Sequence, residues 1–157
     1  MLEAVSEAIY KWKLRKNTDC LYSDLFINRF GDEFQHIDYL MVIDKRIVLV
    51  KYYNYIGNIY GAENISEWTQ TIGHSGFKFN NPLRELRELV TQIKEKISDF
   101  EVGFYIMFSD KSNFPKQMPD GVIKRSALIE ELKSSDRVKQ SRNCENIKIQ
   151  LDSIFKN

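Results

Sequence analysis

The chain has 157 residues, 43% of them apolar and 29% charged, and a net charge of +1. That length suits a single domain with an ordinary core, and the balanced charge gives no global pull toward nucleic acid or an acidic membrane, so any basic patch has to be local. The longest apolar run, VGFYIMF at 102–108, is too short to span a bilayer, and Glu3 and Glu7 interrupt the place of an N-terminal leader.

Residues 2–16 read as a helix, because Leu2, Val5, Ile9 and Trp12 recur at spacings of three and four and make one face apolar. KWKLRK at its end reads either as a phosphate-binding patch or, as we expect, as cations that favour a helix C-terminus. LYSDLFIN (21–28) alternates as a strand does, and RFGDE is a turn punctuated by Gly31. FQHIDYLMVI (34–43) and RIVLVKYYNY (46–55) are rich in β-branched and aromatic residues and form a hairpin about Asp44-Lys45. A short strand ending at Trp68 follows, and TIGHSGFKFN reads as loop.

Asn81 and Pro82 mark a helix start, with Leu83, Leu86, Leu89, Val90, Ile93 and Ile97 on one face. Beyond it come a buried strand (101–109), a loop with Pro115 and Pro119, a short strand at GVIK, a small helix (126–133) and a last amphipathic helix (144–155). The order predicts an α/β domain over 1–157, with a core over about 1–133 and a C-terminal helical extension over about 134–157. Its expected architecture is a mixed central β-sheet flanked by helices. Cys20 and Cys144 stand far apart in no metal-ligand spacing and are expected as free thiols in a reducing, cytoplasmic setting.

A turn centred on Asp44 and Lys45 sets Ile43 opposite Arg46, Asp38 opposite Lys51 and His36 opposite Tyr53. Side chains alternate across a strand, so these last four are expected on one face, with Tyr52 on the other beside Val50.

HIDYLMVIDKRIVLVKYYNYIGNIYG, then Trp68, then NNPLRELREL, resembles the nuclease-related domain (NERD) family of the PD-(D/E)XK nuclease superfamily. The resemblance implies a restriction-endonuclease-like fold. It sets Asp38 on the family's Asp, Lys51 on its Glu and Tyr53 on its Lys. Asn54 and Gly57 fall on the Asn and Gly after the motif, Trp68 on the family's Trp, and Asn81 and Pro82 on its Asn-Pro pair, with Glu85 where Gln is usual. Glu3 or Glu7 matches the N-terminal acidic residue. Enzymes of this kind hold Mg²⁺ by carboxylates and the scissile phosphate, with the motif lysine stabilising charge.

Lys51 puts a cation where a metal ligand belongs, so we expect it to pair with Asp38 and the catalytic centre to be impaired. The expected cofactor is none, or Mg²⁺ or Mn²⁺ at Asp38 if activity survives. A rearranged active site would use Lys51 as the lysine, with Asp38, an N-terminal Glu and Asp24 or Glu33 holding the metal. The expected partner is DNA or RNA, with His36, Asn54, Arg84 and Arg87 as binding candidates and no membrane. A protein-interaction or structural module, such as a homodimer, is the alternative. The bland reading of His36 is a strand residue with one nitrogen satisfied, that of Trp68 is core, and that of Arg84 and Arg87 is a mixed solvated helix face.

Overall fold

The computed structural model describes residues 1–29, 33–134 and 138–155. The predicted turn at Gly31 lies outside them. Helix α1 (Leu2–Lys16) leads into strands β1 (Cys20–Arg29), β2 (Glu33–Ile43) and β3 (Arg46–Tyr53). β4 (Gly57–Tyr60), β5 (Glu67–Ile72) and β6 (Ser75–Asn80) precede helix α2 (Pro82–Lys96). β7 (Glu101–Phe108), β8 (Ser112–Asn113), β9 (Val122–Lys124), α3 (Arg125–Lys133) and α4 (Cys144–Phe155) complete the described order.

The central sheet runs β1-β2-β3-β7-β9, antiparallel over its first three strands and parallel from β3 onward. It is the mixed sheet expected. A second sheet, β6-β5-β4-β8, was not foreseen. TIGHSGFKFN is not loop: it supplies most of the β5–β6 hairpin, turned by Gly73 at φ +58° with His74 exposed. Trp68 lies at the start of a strand rather than the end of one. The pattern was missed because β6 is exposed over most of its length, so it shows no apolar alternation.

Two apolar clusters sandwich the central sheet. On one side, Leu40, Val42, Ile47, Leu49, Ile106 and Phe108 meet α2 and the buried Trp68. The smaller cluster joins Tyr39, Met41, Val48 and Val50 to Tyr10 and Leu14 of α1 and to Leu128 and Ile129 of α3. α2 begins as predicted, with the Asn81 side chain accepting a hydrogen bond from Leu83 N at 2.9 Å and Pro82 in the first turn.

α1 forms where expected, but the apolar face read from its spacing is not the one that packs on the sheet. Tyr10 and Leu14 are buried, while Leu2, Val5, Ile9 and Trp12 remain exposed.

The thiols are also corrected. Cys20 and Cys144 form a disulfide across 124 residues, which removes the ground for a reducing compartment. It fastens α4 to β1 near Asp19, a buried carboxylate that accepts from Gln140 N at 2.8 Å and from Asp44 N at 2.8 Å and faces Arg142 at 3.4 Å. Leu151 and Phe155 of α4 enter the larger cluster. No described helix is long and apolar enough to cross a membrane.

Candidate functional site

β2 and β3 pair from Ile43↔Arg46 to Tyr39↔Val50, the predicted register, and there the ladder stops. At the next step the Asp38 carboxylate takes over: its Oδ2 accepts from Tyr52 N at 2.7 Å. A side chain thus replaces the main-chain acceptor, and the two strands fork. Facing Asp38 across β1, Asp24 has φ +54°, a left-handed backbone that Asp tolerates better than most residues.

The fork changes which residues face which side. Before it, even-numbered Leu40 and Val42 face the larger cluster; after it, Ile37 does, with Ile27 of β1. His36 is turned instead toward Phe26, at 5.1 Å between ring centroids, on an exposed part of the sheet. The expected pairing of His36 with Tyr53 therefore fails. Tyr53 is packed into the aromatic side of the core, stacked on Phe108 at 5.3 Å and set edge-on to Tyr55 at 5.3 Å. Burial first, then the negative charge of Glu85, raises its hydroxyl well above the ordinary tyrosine range. Tyr52 falls with Val50 on the opposite side, as expected, and its hydroxyl reaches Asn54 Oδ1 at 3.3 Å.

Lys51 does meet Asp38. Its Nζ lies 3.9 Å from Asp38 Oδ2 and 3.5 Å from His36 Nδ1. His36 Nε2 is 3.1 Å from Asp24 Oδ1, and Lys11 of α1 is 3.9 Å from Asp24 Oδ2. His36 Nδ1 also lies 3.9 Å from Asp38 Oδ1, so the ring sits between the two carboxylates. The histidine thus links two ion pairs, with both of its nitrogens engaged.

Asp24, His36 and Asp38 offer ligand atoms that all lie within 4.8 Å of one another. Among the described residues these three are the group placed to hold a metal. Their charge argues against Mg²⁺, because the two carboxylates are already matched by the ammonium groups of Lys11 and Lys51. Mg²⁺ sites are built from hard oxygen ligands and waters, whereas this set contains an imidazole and lacks the second carboxylate on β3. The donor set does not fit the ion. Glu33, at the far end of β2, is five residues from Asp38, about 17 Å along an extended strand, and cannot join it.

Glu7 is held away from this cluster: it accepts from the Tyr39 hydroxyl and from Arg125 Nη2 at 3.0 Å, with Arg125 over the Tyr10 ring at 3.9 Å. Burial, then the bond to Glu7, drives the Tyr39 hydroxyl far above its ordinary range. Glu3 is exposed in the first turn of α1. Arg84 and Arg87 reach the loop before β5, Arg84 to Asn64 O at 3.3 Å and Arg87 to the Glu63 carboxylate.

Arg125 has no place in the sequence reading, Lys11 enters it only within the KWKLRK patch, and Asp24 only as a substitute ligand. Asp24 had a usable signal: a hairpin centred on Gly31 sets it opposite Asp38. Lys11 and Arg125 lie on helices whose seating on the sheet no local pattern encodes.

A search of curated proteins returned no match. The model of the nuclease-related domain matches residues 3–112, which spans α1, the forked hairpin, the second sheet, α2 and β7 and stops before β9, α3 and α4. With most of its length so matched and the sheet and fork in place, the chain belongs to the nuclease-related domain family.

Proposed function

We propose that this chain is a nuclease-related domain with an impaired catalytic centre that retains binding of nucleic acid at the fork between β2 and β3. The observation that carries the proposal is the Lys51 ammonium set against Asp38 and His36, where the family pattern has a carboxylate. At 3.9 Å an ion pair is worth about 4 kcal/mol in Coulomb terms at an effective dielectric near 20. A divalent ion has to displace that partner to reach Asp38. The same ammonium, with Lys11 of α1 on Asp24 and the exposed Asn54 just past the end of β3, offers donors to a phosphate backbone. Such contacts release counterions, so binding falls as salt rises.

Plasmid incubated with Mg²⁺ or Mn²⁺ beside the Asp38→Ala variant tests the first half. The expected result is no nicking by either protein. Titration of a short duplex and of a single strand at low and moderate salt tests the second. We expect salt-sensitive binding that weakens in Lys51→Ala. Flat titrations together with a stable dimer would instead support a protein-interaction module.

A second reading rests on the convergence of Asp24, His36 and Asp38. In it those three form a rearranged metal site, with Lys51 in the role of the family lysine. Metal-dependent nicking that disappears in Asp38→Ala would establish this reading and overturn the first.

A further inference from the structure

The outward stripe of α1 has no role in the fork. Leu2 is 89% exposed, Val5 54%, Ile9 50% and Trp12 58%, a run of four apolar side chains at helical spacing with nothing packed on it among the described residues. Scattered apolar residues are normal on a surface; four aligned on one helix, on the side away from its buried Tyr10 and Leu14, are not.

The charged residues of α1 that flank the stripe share one sign. At roughly 100° per residue, Lys13 borders it on one side, Arg15 on the other, and Lys16 continues it past Trp12. Lys16 Nζ sits 5.1 Å from the centre of the Trp12 ring. The acidic residues of the helix turn the other way: Glu7 is bonded to Tyr39 and Arg125, and Glu3 shares its side of the helix. Beside the stripe lies an open groove of about 320 Å³ whose polar lining is Ser6, Tyr10, Lys13 and Arg125.

We propose that this face of α1 docks on an anionic lipid surface. A helix lying in a membrane interface carries aliphatic residues and a tryptophan on one face and lysine or arginine along its flanks, as α1 does here. The charge pattern selects the occupant. A second copy packed stripe to stripe would bring like charges together, since α1 itself carries no carboxylate on the flanks of the stripe to meet Lys13, Arg15 and Lys16, and Asp110 and Glu130 share a groove with Lys13 only on the side toward α3. A nucleic-acid backbone would use those cations but not Leu2, Val5 and Ile9. An anionic bilayer uses both: its headgroups meet the cations while the apolar side chains enter the acyl boundary. The stripe stands on the crest of the helix, which suits a flat, deformable surface. Net charge hides this patch because the chain's 22 acidic residues nearly balance its 23 lysines and arginines.

Co-sedimentation of the full chain with vesicles of phosphatidylcholine alone, or of phosphatidylcholine mixed with phosphatidylserine, is the test. Trp12 emission serves as a second readout, since Trp68 is fully buried and does not report on the surface. Binding to the mixed vesicles only, with a blue shift of emission and loss at high salt, is expected. Ile9→Glu should abolish it. Lys13→Glu with Lys16→Glu should weaken it by about tenfold or more. All three positions are on the exposed side of α1, and unchanged circular dichroism confirms the fold. No binding, equal binding to both vesicle types, or binding retained in Ile9→Glu would overturn the proposal. So would a dimer in solution that Ile9→Glu dissociates, or duplex binding that the double reversal destroys while vesicle binding survives.

Discussion

Replacing Lys51 by glutamate restores the family's carboxylate and reverses the charge that blocks it. In the wild-type chain Lys51 and Asp38 are 3.9 Å apart, and each side chain retains 21% exposure. The bare attraction is about 4 kcal/mol at an effective dielectric near 20. Solvent at that exposure screens it, and Lys51→Glu also turns attraction into repulsion. The net loss should be about 2–3 kcal/mol, within the range for uncompensated, half-buried charge. For a domain of this size that lowers Tm by about 4–12 °C.

Counted with Lys11 and residue 51, the two carboxylates of the cluster are matched in the wild-type chain and in excess after the change, so the site should now take up a divalent ion. A hundredfold excess of Mn²⁺ over its Kd would return about 2.7 kcal/mol, most of what was lost. Differential scanning fluorimetry of both proteins, with and without Mn²⁺, reads the two effects together. The wild-type melt should not move on adding Mn²⁺; the variant should melt low and recover. A wild-type chain stabilised by Mn²⁺ as strongly as Lys51→Glu would refute the reasoning, and so would a variant that loses no stability.

Three further outcomes follow from other parts of the fold. Gly61→Ala should cost about 2 kcal/mol or more in urea denaturation, because a Cβ there would lie 2.1 Å from Trp68 Cδ2 and 2.4 Å from its Cε2, inside a packed core. Reduction of Cys20–Cys144, which spans 124 residues, should lower the urea midpoint by an amount equivalent to about 2–4 kcal/mol, and Cys144→Ser should show the same loss with no further response to reductant. Burial, helped by the charge of Glu145, pushes the Tyr22 hydroxyl from 10.0 up to about 12, and burial also raises Tyr10, Tyr39 and Tyr53. Because the unfolded chain releases these protons first, the stability they confer is complete below pH 10 and is lost as pH rises toward 12; melts across that window, followed with tyrosinate absorbance, should show Tm falling there.

What the sequence made legible was local. Asn81 and Pro82 announce α2 because a cap and a fixed φ act within one turn. The β2–β3 register follows from a two-residue turn and a period of two, and it holds from Ile43 to Tyr39. It fails one step later, where Asp38 accepts from Tyr52 N and opens the strands, because a carboxylate intercepting a ladder bond leaves no mark on hydropathy. That failure decides the site: Tyr53 goes to the aromatic core, while His36 joins Asp24. The Asp38–Lys51 contact survives the fork because a lysine side chain spans the widened gap. α1 was read with its apolar stripe as the packed face, since periodicity detects a stripe but not which neighbour covers it. The disulfide escaped for a related reason. Nothing in the spacing of Cys20 and Cys144 reports that the C-terminal segment returns to the first strand.

That return gives the chain a covalent ring from residue 20 to residue 144, closed by its last helix. During synthesis β1 must wait for the 124 residues that separate Cys20 from Cys144 before Cys144, Gln140 and Arg142 arrive to close over Asp19 and Asp44. The sheet is therefore sealed by the segment around Cys144, and a fragment cut at the boundary of the family match would carry Cys20 without its partner and Asp19 without the Gln140 N donor and the Arg142 ion pair.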